Sequence, residues 1–263
     1  MFGPEVRTSF WDPEKQDPPL ESVSAADAVI HLAGEPVAQR WTPIAKRRIL
    51  ASRAEGTRRL AAALAELPRR PKALVSASAV GYYGSRGDER LSEISGPGRG
   101  FLSEVCIQWE KRAKEAEPLG IRVVRLRIGV VLGKEGGALA RMLPAFQWGA
   151  GGRLGSGKQW MSWIHVDDLV SLLLFSAQNP DLSGPVNATA PNPVTNTQFT
   201  AALAEVLRRP ALIPAPAFAV RTLFGEMAEI VLEGQRVLPD AALAAGFEFR
   251  YPDLKPALRE LLA

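Results

Sequence analysis

Cysteine is almost missing from this chain. Its 263 residues include one, Cys106, so no disulfide can form within it, and such usage fits a reducing, cytoplasmic setting. Histidine is nearly as scarce, with only His31 and His165. No grouping of His, Cys, Asp and Glu has the spacing of a zinc site, so no metal is expected. No apolar run reaches the roughly 18 to 20 residues that a membrane helix needs, and Met1 to Arg7 carries no apolar signal core. Gly-x-Ser-x-Gly is absent, which leaves a hydrolase elbow without support. Neither a Gly-x-Gly-x-x-Gly between strand and helix nor a Lys-Ser/Thr phosphate loop occurs. The glycines at 149, 151, 152, 155 and 157 read instead as a flexible connection toward a substrate lobe. The net charge is only +4, and no aromatic residues interleave the basic ones, so nucleic acid is not an expected partner.

What is present describes a globular chain, 46% hydrophobic and 23% charged. Arg40 to Lys72 holds ten Lys or Arg against Glu55 and Glu66, which reads as a solvated helix face or a patch for a phosphate-bearing ligand. Val6 to Trp11 reads as a short strand stopped by Asp12-Pro13. Ala28 to Leu32 is a compact apolar run, suited to a parallel strand buried on both faces. Thr42-Pro43 opens a long helix, Thr as cap and Pro in its first turn. Pro68 and Pro71 end that helix. Lys72 to Ala77 and Ile121 to Ile128 are further strands, with a helix over Phe101 to Glu117 between them. Leu139 to Trp148 is helical. Trp160 to Val166 is a strand, followed by a helix capped by Asp167 or Asp168. Alternation at this spacing predicts a parallel, doubly wound α/β sheet. From about Pro185 the pattern changes: a short strand, a helix capped by Asn196 or Thr197, then helical fragments ending in Leu254 to Leu262.

In an open α/β sheet, ligands bind at the carboxyl ends of the strands. Leu74 to Gly84, Leu-Val-Ser-Ala-Ser-Ala-Val-Gly-Tyr-Tyr-Gly, runs from a buried strand into such an end. It brings two hydroxyls, Ser76 and Ser78, and two phenols, Tyr82 and Tyr83. Ser76 or Ser78 is the candidate hydrogen-bond donor to a reacting oxygen, and Tyr82 or Tyr83 the candidate acid/base. His165 reads as a buried histidine satisfied by the backbone, or at most as a substrate-side residue. His31, inside an apolar strand, reads as structural.

The order of blocks resembles the extended short-chain dehydrogenase/reductase superfamily. Within it the chain is similar to the NAD(P)-dependent epimerase-like family that includes the family 39 short-chain dehydrogenase/reductase subfamily. The resemblance is carried by His31-Leu-Ala-Gly-Glu-Pro-Val, Ile49 to Thr57, Ser76 to Gly84, Arg127-Ile-Gly-Val-Val-Leu-Gly, Trp163-Ile-His-Val-Asp-Asp-Leu and Gly225 to Pro239. It implies a Rossmann-like domain over residues 1–184, with 134–162 on the substrate side, and a small, mostly helical C-terminal lobe over 185–263. It implies NADP in preference to NAD, held by Leu32, Ala33, Gly34 and Arg53, with Arg127 and Val131 near the nicotinamide. It also implies a small-molecule substrate, a nucleotide-sugar or another small carbonyl compound.

Two departures accompany the resemblance. The family opens with a strand, a Gly-rich phosphate loop, a helix and a second strand, and residue 1 here falls just before what resembles the third strand. The expectation is an N-terminally truncated sheet in which Ala28 to Leu32 lies at a raw edge, or is covered by another chain, as in a homodimer. The superfamily's Tyr-x-x-x-Lys is also missing, its positions falling at Cys106 and Glu110. A carboxylate beside a thiol raises the thiol's pKa rather than activating it. The competing expectation is therefore a non-catalytic NADP(H)-binding sensor or scaffold, a class that fits relatives associated with cell division.

Overall fold

The computed structural model describes residues 6–263, so part of the signal-segment reading, on residues 1–5, lies outside the described residues. Four parallel strands form the central sheet: β1 (Ala28–His31), β2 (Ala73–Ala79), β3 (Arg122–Ile128) and β4 (Gly184–Ala188). They lie in the order β1-β2-β3-β4, the same as their order in the chain. The longer helices are α1 (Pro43–Glu66), α2 (Phe101–Ala113), α3 (Gly137–Gln147), α4 (Val166–Gln178), α5 (Asn196–Leu207), α6 (Ala217–Phe224) and α7 (Leu254–Leu262).

The pleat explains why β2 and β3 read as continuous apolar runs. Successive side chains point to opposite faces of a strand. Leu74 and Val123 pack with Leu60, Leu64 and Ala113 of α1 and α2. Their neighbours Val75 and Val124 pack on the other face with Leu172 and Leu173 of α4. Helices thus cover both faces, the doubly wound arrangement. A third cluster joins Leu139 and Phe146 of α3, Phe199 and Leu203 of α5, and Leu254, Leu258 and Leu261 of α7. No described helix is long and apolar enough to cross a membrane.

Several local expectations are corrected. Val6 to Trp11 is not a strand; Val6 and Phe10 are exposed, and with no ladder partner among the described residues an apolar alternation has nothing to pair with. Trp11 lies instead against the His31 ring, 5.7 Å between centroids. Neither Asp167 nor Asp168 caps α4: the cap is His165, whose side chain accepts from Asp167 N. Asp168 accepts from the backbone N–H groups of Arg250 and Tyr251, both at 2.9 Å. Thr195 caps α5 through a reciprocal box with Gln198, ahead of the expected Asn196 or Thr197. The second helix stops at Ala113 and continues as a tighter 3₁₀ turn over Lys114–Leu119, because Pro118 lacks the N–H that an α-helix needs. Trp160 to Val166 is two short strands, Trp160–Met161 and Trp163–His165, with different partners.

Candidate active site

Register places the site before any side-chain detail. In a parallel ladder, paired residues point to the same face. Ser78 pairs with Arg127 and Arg127 with Asn187, so the three form one row across the carboxyl ends of β2, β3 and β4. At Ala79 the backbone leaves the strand for a 3₁₀ turn, Val80–Tyr83. Gly84 ends that turn at φ 60°, where a Cβ would lie 2.9 Å from Arg99 N, so glycine is required there.

The row meets α2 at Glu110. Arg127 donates Nε to Glu110 Oε1 at 2.7 Å and Nη2 to Oε2 at 2.9 Å, the planar fork that suits a carboxylate. The Ser78 hydroxyl donates to the same Oε1 at 2.8 Å. Arg127 Nη1 donates to the Tyr83 hydroxyl at 2.9 Å, which in turn donates to Asn187 Oδ1 at 2.7 Å. All five residues are buried. Burial works against the Arg127 cation, but the Glu110 hydrogen bonds and charge outweigh it and hold its pKa above the ordinary range. Burial pushes the Tyr83 phenol up to about 12, only partly offset by Arg127. Burial, with Glu110 adding to it, pushes the Cys106 thiol up to about 11.

Tyr82 differs from its neighbours. Its ring lies under the Arg127 guanidinium, 3.5 Å from Cζ to centroid, and meets Tyr83 edge-on at 5.3 Å. It is half-buried, and unlike Ser78 and Tyr83 its hydroxyl has no hydrogen-bond partner among the described residues. Ser76 is turned toward its own backbone, donating to Ala77 O at 3.3 Å.

The proposed cofactor residues fall in two places. Leu32 and Gly34 are exposed and Ala33 half-buried at the end of β1. Arg53 reaches this end from α1: Nη1 donates to Glu35 O at 2.8 Å, and the guanidinium stacks over Trp109 at 5.0 Å. A Cβ on Gly34 would lie 2.9 Å from Arg53 Cζ, so bare backbone and guanidinium share one small space. Arg127 is fully engaged by Glu110 and Tyr83. Val131 pairs with Ile164 and is half-buried against the α4 side of the sheet. The glycines at 149–157 follow helix α3 rather than a strand, so they form no phosphate loop of the strand-to-helix kind.

His165 has both ring nitrogens engaged. Nδ1 accepts from Asp167 N at 3.1 Å, which leaves Nε2 to donate to Glu260 of α7 at 2.9 Å. The ring stacks on Tyr251, 3.9 Å between centroids. His165, Asp167 and Glu260 each place one ligand atom within 4.8 Å of the others, but both His165 ring nitrogens are already taken up in hydrogen bonds.

Sequence reasoning missed Glu93. Its Oε1 accepts from Asn187 N at 2.9 Å and Ala241 N at 3.1 Å, tying the loop after β2 to β4 and to the C-terminal region. Burial raises its pKa above the ordinary carboxylate value, against those hydrogen bonds. A carboxyl group raised in the folded state favours the fold when protonated and costs stability once pH exceeds its folded pKa. Glu93→Gln keeps an oxygen acceptor and removes the charge. The variant is expected to melt higher than wild type at pH 8, with the gap closing toward pH 4 by differential scanning calorimetry. An equal gap at both pH values would show that the charge is not what matters.

Comparison with known proteins bears on this geometry. The family model described as "NAD dependent epimerase/dehydratase family" matches residues 7–189. A second, a domain of unknown function, DUF1731, matches residues 215–261. The chloroplastic SDR39U1 homolog of Arabidopsis thaliana, an epimerase family protein, is 49% identical over 242 residues, covering 91% of this chain and 70% of that protein. The epimerase family protein YfhF of Bacillus subtilis is 41% identical over 246 residues, covering 93% of this chain and 81% of YfhF. The crystal structure of human epimerase family protein SDR39U1 (isoform 2) with NADPH superposes with a TM-score of 0.86 at 35% identity, over 92% of this chain and 85% of that one. A match over this much of the sheet and its strand ends means that the chain belongs to the NAD-dependent epimerase/dehydratase family, among its SDR39U1-like members.

Proposed function

We propose that the chain binds NADP(H) and acts as an oxidoreductase or epimerase-like enzyme on a nucleotide-sugar or other small carbonyl substrate. The NADPH in the human relative's structure supports the choice of nucleotide. The fit of this chain's own residues rests on the end of β1, where the bare backbone of Gly34 lets the Arg53 guanidinium lie directly against it. Leu32, Ala33 and Gly34 would offer backbone to the cofactor, and Arg53 a guanidinium for its phosphate or ribose oxygens. When bound, the nicotinamide supplies hydride chemistry. Proton transfer falls to the chain, and the observation that carries the reading is the uncommitted Tyr82 hydroxyl beside two committed neighbours. Ser78 already gives its proton to Glu110, so its remaining capacity toward a ligand is as an acceptor. Tyr83 holds its proton well above neutral pH.

The test is NADPH consumption across sugar nucleotides, quinones and short carbonyls, with calorimetry of NADPH binding alongside. Tyr82→Phe is expected to cut turnover at least about 100-fold while leaving NADPH affinity within a few-fold. Tyr83→Phe is expected to have a smaller effect on turnover. Unchanged turnover in Tyr82→Phe would remove Tyr82 from the chemistry.

A second reading, an NADP(H)-binding sensor or scaffold without turnover, is favoured by one observation. Glu110, at the position where the superfamily carries a lysine, is locked to Arg127 and Ser78. NADPH binding with no turnover on any of these substrates would select that reading.

A further inference from the structure

Two segments far apart in sequence lie side by side beyond the end of α3. One follows Trp148, the residue that ends that helix; the other leads from α5 into α6. Leu154 and Ala215 form a parallel bridge. Ala215 N donates to Arg153 O at 2.9 Å, and Gly155 N to Ala215 O at 2.8 Å. A Cβ on Gly149 would touch the Pro210 ring. The two segments carry large apolar side chains that the fold leaves in water: Trp148 is 88% exposed, Leu212 83%, Phe218 73% and Ile213 60%. Helix α6 buries only Val220, and at 3.6 residues per turn Phe218 falls on the side away from it. Single exposed apolar residues are ordinary, but several gathered on adjoining segments mark a contact surface.

The charge on these segments says what kind of surface they meet. Residues 141–158 and 206–225 hold six cations, Arg141, Arg153, Lys158, Arg208, Arg209 and Arg221, and no Asp or Glu. That is +6 against +4 for the whole chain, so the remainder is net −2. All six are exposed. None meets a carboxylate among the described residues, whereas Arg58 and Arg112 on the opposite helices are paired with Glu55 and Glu115. The first acid after α6, Glu226, is taken up by Lys46. A face that is both apolar and cationic complements a surface with an anionic boundary and an apolar interior, which is the headgroup region of an acidic bilayer. Trp, Phe and Leu are the residues that enter that boundary. No described helix can span a membrane, so such a contact is peripheral.

We propose that this face attaches the protein reversibly to bilayers that bear anionic headgroups. Trp148, Leu212, Ile213 and Phe218 enter the boundary between headgroups and acyl chains, and the six cations face the lipid phosphates. The attachment is independent of the redox reading, since it uses none of the residues at the strand ends.

Vesicle flotation of the full chain tests this, with phosphatidylcholine alone and with phosphatidylcholine and phosphatidylglycerol in about a 2:1 ratio. The protein is expected to float with the anionic vesicles only, and to be released as salt rises from about 0.1 to about 0.5 M. Leu212→Ser/Phe218→Ser should lower the partition coefficient at least about tenfold, and Arg208→Gln/Arg209→Gln about tenfold. Lys111→Gln/Lys114→Gln removes the same charge from α2 and its end, and should leave partition within about twofold. All six positions are exposed, and unchanged circular dichroism melting verifies that each variant is folded. No flotation with anionic vesicles, or equal flotation with phosphatidylcholine alone, would overturn the proposal. So would an equal loss in the Lys111/Lys114 variant, or no loss in the Leu212/Phe218 variant. A dimer in gel filtration that Leu212→Ser/Phe218→Ser abolishes would give the face to a second copy of the chain and overturn it as well.

Discussion

Arg127→Met is expected to destabilise the fold by about 3–5 kcal/mol, the usual result of removing one partner from a buried ion pair. Glu110 is 5% exposed and Arg127 3%, so neither group can turn to water when its partner is lost. Methionine is shorter than arginine but close to it in volume, so most of the loss is electrostatic rather than a cavity. Arg125, 3.6 Å from Glu110 Oε2, softens the effect but does not replace the two-pronged hydrogen bond. Glu110→Leu should be similarly costly, because it leaves a buried guanidinium with only Tyr83 and the Glu93 carbonyl as acceptors. The double variant Glu110→Leu/Arg127→Met should recover most of the loss, since an apolar pair of similar volume is often as stable as a buried ion pair. Urea unfolding of all four proteins measures the coupling. A double variant as unstable as the sum of the singles would mean that the pair is not a unit.

The second large effect is acid sensitivity set by His31. Its Nε2 lies 3.1 Å from Thr57 Oγ1, and burial pulls its pKa from 6.5 down to about 4. Above pH 6.5 the ring is neutral in both folded and unfolded states and pH has no leverage. Between the two values the unfolded chain takes up a proton that the folded chain refuses, so stability falls as pH falls. The full contribution is about 3 kcal/mol, at about 1.4 kcal/mol per pKa unit. His31→Gln keeps a hydrogen-bonding group for Thr57 and cannot titrate. Urea titrations at pH 7.5 and pH 4.5 should show the wild type losing more stability than the variant across that interval. Equal losses would place the acid sensitivity in the carboxylates instead.

The strands and the main helices were legible because their signals are local and repeated. Thr42-Pro43 caps α1 as read, and Leu254–Leu262 forms a helix with the predicted limits. Caps were misplaced by one to three residues because Thr195 and His165 act through side-chain geometry that several neighbouring polar residues could equally supply. Val6 to Trp11 carries strand-like residues, but a strand exists only with a partner. At the candidate site, Ser78, Tyr82 and Tyr83 were visible as polar residues at a strand end. Their connections were not. Arg127 was placed near the nicotinamide by the family resemblance, which says nothing of what its guanidinium touches. The register that aligns it with Ser78 and Asn187, and the helix that brings Glu110 beneath it, are long-range facts. One signal was available: Glu110 stands where a lysine is expected and Arg127 lies inside an apolar strand, two opposite charges each out of place alone. Glu93 gave no comparable sign within its polar loop.

Because the four central strands occur in space in the order in which they are synthesised, each can add to a finished neighbour as it leaves the ribosome. The cluster around Leu139, Phe146 and Phe199 has no such advantage. It closes only against Leu254, Leu258 and Leu261, and so stays open until those residues emerge. The nascent sheet would then form early and vectorially, while the helical region would be the last to hide its apolar surface and the part most exposed to chaperones and misassembly.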